Sequence, residues 1–507
     1  MPWTPGQDSD DMVPEADSDD ASPGTGGASG NATGTDPEDP PMPDLPPPAP
    51  TLAEGIQITD VEVNQAVPVP LWTNGQYVDI NARNARFVQN RPALVRAYWS
   101  IDAGWQPREV DGRLRVTLTD GTSEVLSDVR TVAGPADPSD LDGTFRWTIP
   151  EALTQVGATF QIELADPALA PGGPLPASPP IVPPGGPAPL GVEGDAQVLR
   201  VLLVPVHHTI FNNCPAPAAI ADVELQAMID HLHGKNPTRE VQVEIREPFP
   251  YSGNLSGFDG ILSALADQRY ADGTDPEVYV YGLIEHCSGN SGGLAGQAIS
   301  IPDWPTPDNA WTRVSVGIRY NDEHSTALLA THEIGHSLGR YHIYCSGGEA
   351  GYDPAYPYDG GDIGGWGYSI VSETLKEPSK KDYMTYCSDN WVSDFGWEVV
   401  YPTIEEVSSW GSGQYVPEGT LLIGAVGGDE PEYWFTAPGA LTPPPHGGAT
   451  IELQTPEGTL EVPAFVSKRP HSNTRNVVVE LPVAAEDLLG ATRVEPEGGR
   501  YPITIRP

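Results

Sequence analysis

The chain is 507 residues long, enough for about three domains. Glycine (55) and proline (56) are well above ordinary usage, with 38% apolar and only 8% aromatic residues, a profile of β-rich domains joined by Pro/Gly loops rather than of a helical bundle. Against 70 acidic side chains stand 26 basic ones, and the net charge of −44 excludes a basic nucleic-acid-binding face and disfavours anionic membrane surfaces.

Residues 1–53 read as a disordered, acidic, Pro/Gly/Ser-rich tail. Its first 50 residues hold eleven acids and no Lys or Arg, and such a segment cannot bury enough apolar surface to offset its chain entropy. No positively charged start followed by an apolar stretch is seen there, so no signal peptide is visible. Residues 54–166 carry short alternating segments (Ile56–Val63, Leu94–Trp99, Leu114–Leu118, Phe145–Ile149 and Phe160–Leu164) separated by turn signals, which predicts a β-sandwich-like domain. Residues 167–196 are too rich in proline for a sheet interior and read as a linker or wrapping loop. From Gln197 strands and helices alternate: strand signals at Val198–Val204, Val241–Ile245 and Val278–Ile284, helical periodicity at Ala218–His233 and Phe258–Gln268. Leu294–Ile301 and Arg313–Ile318 are further strand candidates, followed by a helix over about 322–338. Short β segments return after Trp397, giving a β-rich C-terminal domain over 398–507. No run of about 18 apolar residues is present, so no helical membrane-spanning segment is expected.

The chemistry concentrates in Thr331-His332-Glu333-Ile334-Gly335-His336-Ser337-Leu338-Gly339-Arg340-Tyr341-His342. Histidines four apart on a helix stand one turn above each other and can reach one ion. Ala327, Ala330, Ile334 and Leu338 form the stripe that buries the opposite face. Gly339 can take the left-handed conformation that ends a helix and lets His342 swing back as a third ligand. Three nitrogen ligands leave the fourth position of a tetrahedral zinc to water, the catalytic arrangement. Glu333 stands beside the first ligand as general base for that water. By chance the two histidines with their glutamate arise in about 6% of chains of this length, and the Gly and third His lower that to the order of 10⁻⁴.

His332–His342 matches the extended zinc signature HExxHxxGxxH, and in this the chain resembles the metzincin metalloproteases. That resemblance implies Zn²⁺ held by His332, His336 and His342, with Glu333 catalytic. It also implies a Met-turn, for which Asp382–Cys387 is similar, with Met384 as the apolar floor. Tyr386, two beyond Met384, would be a metal-proximal tyrosine that binds the ion or an oxyanion. An antiparallel edge strand is implied for pairing with extended substrate, and Gly293, Leu294, Ala295 and Gly296 are its candidates. Ile343, at the position that sorts metzincin branches, matches none of the astacin, matrixin, adamalysin or serralysin patterns. The stretches 356–368 and Trp391–Asp394 resemble bacterial secreted metzincins, including mucin-degrading ones. The implied fold class is α+β multidomain: a metzincin-like α/β zinc peptidase domain over 197–397, flanked by two β-sandwich-like domains.

Cys214, Cys287, Cys345 and Cys387 are even in number, confined to one region and without a CxxC pair, which predicts two disulfides and an oxidising compartment. Three pairings exist. The one expected is Cys345–Cys387, pinning the zinc turn to the Met-turn, with Cys214–Cys287. Asp353, Asp359 and Asp362, among glycines, could bind Ca²⁺ through loop oxygens. Together these readings describe an exported or cell-surface monomeric zinc endopeptidase acting on a protein or glycoprotein substrate. The alternative is a surface adhesin or carbohydrate-binding protein with a latent zinc site.

Overall fold

A computed structural model describes residues 49–505, apart from 195–196, 212, 256, 286, 288–293, 347–350, 412–414, 428–430, 442–448 and 496. The acidic tail therefore lies almost wholly outside the described residues, as does Gly293 of the candidate edge strand.

Two antiparallel sheets make the N-terminal sandwich. One orders strands 76–77, 68–73, 56–64, 93–101 and 145–149, and the other 181–182, 159–165, 108–117 and 123–132. The Pro-rich stretch wraps onto the second sheet, where Ile181–Val182 and Ala188–Pro189 both pair with Thr159–Ala165. Inward residues such as Val63, Val95, Val110, Phe145 and Ile162 are buried at alternate positions, as period-2 patterning requires.

A mixed six-stranded sheet follows, ordered 240–245, 198–208, 278–285, 314–318 and 296–298, with Phe249–Tyr251 also pairing with Val198–His208. All pairings are parallel except that of Gly296–Ala298, which runs antiparallel to Val314–Ile318 at the sheet edge. Helices α1 (Asp222–Lys235), α3 (Glu323–Ser337) and α4 (Asp394–Ser409) bury their apolar faces in one core against this sheet. Helix α2 (Asp259–Ala271) packs on the other face, against strands of the C-terminal unit. That unit stacks two four-stranded antiparallel sheets, 433–438, 420–426, 475–480, 465–468 and 458–463, 450–455, 490–494, 500–503.

These elements correct the expected fold class. Strand accounts for 38% of the described residues and helix for 18%, in many small sheets, so the molecule is a multidomain β-rich protein and not an α+β chain built on a metzincin catalytic domain. The physical reason lies in how helices are distributed. Helical periodicity is confined to short segments around one sheet, and between Ser337 and Asp394 the described chain forms only two-stranded ladders and a 3₁₀ turn. Helix α4 also runs through position 397/398, where the sequence placed a domain boundary. Nor are the units separate beads. One core continues from the N-terminal sandwich into Ile343, Met384, Trp391 and Trp397. Across that junction Trp391 Nε1 donates to the Ala66 carbonyl (2.8 Å) and Trp397 Nε1 to that of Arg86 (3.0 Å).

Cys214–Cys287 and Cys345–Cys387 are bridged, and among the described residues no cysteine is free. Two disulfides indicate an extracellular or otherwise oxidising environment. No described helix is long and apolar enough to cross a membrane.

Candidate metal centre

Helix α3 starts at Asp322, whose carboxylate accepts from Ser325 N, and ends where Gly339 takes φ +95. Its apolar stripe Ala327, Ala330, Ile334 and Leu338 is buried against the sheet. His332 and His336 therefore project from the other side, their ring centroids 4.9 Å apart. The turn at Gly339 returns the chain, and His342 closes on His336 with 3.0 Å between their Nε2 atoms.

The ring orientations are fixed from behind. His332 Nδ1 lies 2.9 Å from the Tyr383 carbonyl oxygen and His336 Nδ1 2.7 Å from that of Arg340. A carbonyl can only accept, so both Nδ1 atoms carry the proton and both Nε2 atoms keep a lone pair toward the common centre. His332 Nε2 and Glu333 Oε2 are buried with no hydrogen-bond partner. Orphaned polar atoms cost free energy unless something satisfies them, and a cation among the rings would do so for the nitrogen. Burial, then the neighbouring rings, pulls the His332 pKa down to about 4 and that of His336 well below its usual range. The imidazoles are thus neutral, as ligands must be.

His471 joins this group. It stands on the C-terminal unit, 4.4 Å in ring centroid from His342, and its ligand nitrogen lies with those of His332, His336 and His342 within 4.8 Å of one another. Among the described residues this four-histidine group is the one cluster of three or more His, Cys, Asp or Glu that can hold a metal ion. Tyr386 stands at the rim, half exposed, its hydroxyl 3.2 Å from His342 Nε2 and 2.6 Å from His471 Nδ1.

Met384 is fully buried beneath α3, where a Cβ at Gly335 would come within 2.7 Å of its sulfur. The Ile343 amide donates to the Met384 carbonyl (3.0 Å), joining the two turns. Arg340 and Asp382, which sequence reasoning passed over, form a buried ion pair at 3.0 Å beneath the same junction. The Cys345–Cys387 bridge closes its outer side. Gly296 packs directly on Glu333, and Leu294 and Ala295 precede it on the way to the antiparallel edge strand, of which only Gly296–Ala298 is regular. Among the described residues, the three aspartates of the calcium expectation do not converge as a ligand cluster. Asp362 is taken by Lys381, Asp353 caps the Ala355 amide, and Asp359 joins neither in a ligand cluster.

Proton competition at His332 and His336 is expected to be displaced well below neutral pH. Three imidazoles of ordinary pKa would lose about 50-fold in affinity between pH 7.5 and 6. With two of the three displaced below this range, the loss should stay within about fivefold, as read by titration against a chromophoric chelator.

No family model matches the chain, and no curated protein does. Among solved structures, similarity is found to a chaperone–substrate complex, at 13% identity and TM-score 0.25 over 53% of this chain and 40% of that one. A calcium-binding mutant of a β-glucuronidase from Bacteroides uniformis is similar at 9% identity and TM-score 0.14, over 56% of this chain and 31% of that one. The chain thus spans less than half the length of either, neither is a metzincin, and likenesses this low carry no argument about fold or function.

Proposed function

We propose that the protein is a zinc-dependent metalloendopeptidase of an extracellular or cell-surface compartment, hydrolysing peptide bonds of proteins or glycoproteins. The observation that carries this reading is the buried convergence of the His332, His336 and His342 rings beside Glu333, a carboxylate with an unpartnered oxygen. The resemblance of the motif and of the Met384 turn to those of metzincin proteases supports the same reaction class. Zinc held by these rings would lower the pKa of water and polarise the scissile carbonyl. Glu333 has the carboxylate to accept the proton of the attacking water and to return it to the departing amine. Tyr386, with its hydroxyl at the rim, can donate to the developing oxyanion. The edge strand Gly296–Ala298 offers backbone groups to an extended peptide, which gives affinity with little demand on side chains.

Cleavage of denatured protein that is abolished by a zinc chelator and restored by stoichiometric zinc tests the proposal. Intact substrate under both conditions, for the parent and for His471→Ala alike, would sink it. Gly296→Ala supplies a second measurement, because a Cβ there would stand 2.6 Å from Glu333 Oε1. Displacing that carboxylate should lower kcat about tenfold or more with zinc content unchanged.

A second reading is favoured by one observation, the fourth histidine. An adhesin or carbohydrate-binding protein whose ion is merely structural would present a closed four-ligand site, and a fully ligated ion activates no water.

A further inference from the structure

His471 sits at the tip of a hairpin, between the paired strands Phe465–Lys468 and Arg475–Glu480 of the C-terminal unit. Its backbone is left-handed, φ 56, a conformation uncommon in non-glycine residues, and its surroundings hold it there. The enforcement is visible. Arg469, buried, donates to the Asp259 carbonyl (2.8 Å), Ser263 Oγ (2.8 Å) and Asn476 Oδ1 (2.7 Å). Ser472 Oγ and Thr474 Oγ1 both donate to the Asp259 carboxylate, at 2.9 and 2.7 Å. Gln297 Nε2, on the edge strand itself, donates to the Pro470 carbonyl (3.0 Å). The tip is thus fastened to the start of α2 and to the strand along which a peptide would lie. A cavity of about 970 Å³ opens beside it, walled by His342, Tyr341, Trp304 and Trp311 on one side and by residues 465–473 on the other.

From this placement we propose that His471 is the fourth ligand of the metal ion, a plug delivered by the C-terminal unit that closes the centre, so that the chain as folded here is a latent form. A tetrahedral ion on the three helix-and-turn histidines would have one position left, and the hairpin tip brings an imidazole within reach of it while the Pro470 carbonyl occupies the edge strand's side-chain donor. Opening requires the tip to leave both contacts together. A peptide able to compete for Gln297 and for the ion would displace it, and the neighbouring cavity gives the substrate chain somewhere to lie. The plug rests on the metal-centre reading alone, whereas its role as a latency device rests on the peptidase proposal and deepens it.

The test uses the full chain loaded with Co²⁺, whose ligand-field spectrum reports coordination whether or not the protein cleaves anything. The parent should show a four-coordinate spectrum that does not respond to acetohydroxamate. His471→Ala should have an altered spectrum that shifts on adding acetohydroxamate, and a zinc affinity lower by about tenfold or more, since even partners outside the ligand shell are worth 10–100-fold. Peptidase activity of the zinc form should then exceed that of the parent at least tenfold. Identical cobalt spectra and identical hydroxamate binding in the two proteins would overturn the plug. A spectral change with no cleavage by either protein would uphold the plug and overturn the peptidase reading instead. His471→Ala cleaving no faster than the parent, with cobalt spectra unchanged, would make the tip a bystander and overturn the plug with the peptidase reading intact.

Discussion

Replacing Glu333 by alanine or glutamine should lower peptidase activity by about 10³-fold while leaving the bound ion in place. General acid–base catalysis by a positioned side chain contributes about 10²–10⁴-fold, and here no second carboxylate belongs to the cluster that could stand in, since its described members are all histidines. For the same reason the substitution removes no ligand, so zinc stoichiometry should remain that of the parent. The effect on folding runs the other way. Burial raises the Glu333 carboxyl well above the usual carboxylate range, and burial is the whole cause. A carboxyl of raised folded-state pKa binds more protons in the folded than in the unfolded chain, so its contribution is fully favourable below about pH 4.5. That contribution is lost as pH rises through the folded-state value. Glutamine carries no such penalty, and the metal-free Glu333→Gln protein should be at least as resistant to urea at pH 8 as the parent. A variant that keeps full activity would remove Glu333 from the mechanism. One that loses activity together with zinc would mean that Glu333 serves the ion and not the proton transfer.

The sequence was most informative where a short period carries the chemistry. The four-residue spacing of His332 and His336, the stripe of Ala327, Ala330, Ile334 and Leu338, and the glycine at 339 each have a local physical meaning, and the structure brings these residues together as that meaning demands. Helix α4 was harder to see. Its buried positions Trp397, Val400, Tyr401, Ile404 and Val407 repeat at helical spacing, but Pro402 inside the run argues for a break. The strand Ser123–Val132 went unseen because it is largely exposed at a sheet edge and lacks apolar alternation. The overall class departs from the expectation in its central part, where small sheets and two-stranded ladders outweigh the helices around one sheet. His471 left no local signal at all. It lies 129 positions beyond His342 on a different unit, and only the packing of the C-terminal sheets onto α2 brings it to the ion site.

The Arg340–Asp382 pair was equally invisible, and it carries the largest expected effect on stability. Both side chains are almost fully buried, and the carboxylate does more than neutralise the guanidinium. Asp382 Oδ1 accepts from the Met384 amide (3.0 Å), while Oδ2 accepts from the Ser393 amide (3.2 Å) and hydroxyl (2.6 Å). Ser393 in turn caps α4 through the Gly396 amide (3.0 Å). The Arg340 carbonyl holds His336 Nδ1, so the same residue that needs the carboxylate also orients a ligand. Asp382→Ala would leave a buried cation with no counter-charge and orphan two amides, a change expected to cost about 3–5 kcal/mol. Urea unfolding of the metal-free protein should show the midpoint lowered accordingly with the slope unchanged. Asp382→Asn keeps one acceptor oxygen but loses the charge and sets an NH₂ where the other oxygen accepted, so its cost should fall between those of parent and alanine variant. Because the Cys345–Cys387 bridge still ties the two turns together, zinc affinity should drop while binding persists. A cost below about 1 kcal/mol for the alanine variant would mean that water enters to solvate Arg340, and that the Met384 turn is held by apolar packing and the disulfide alone.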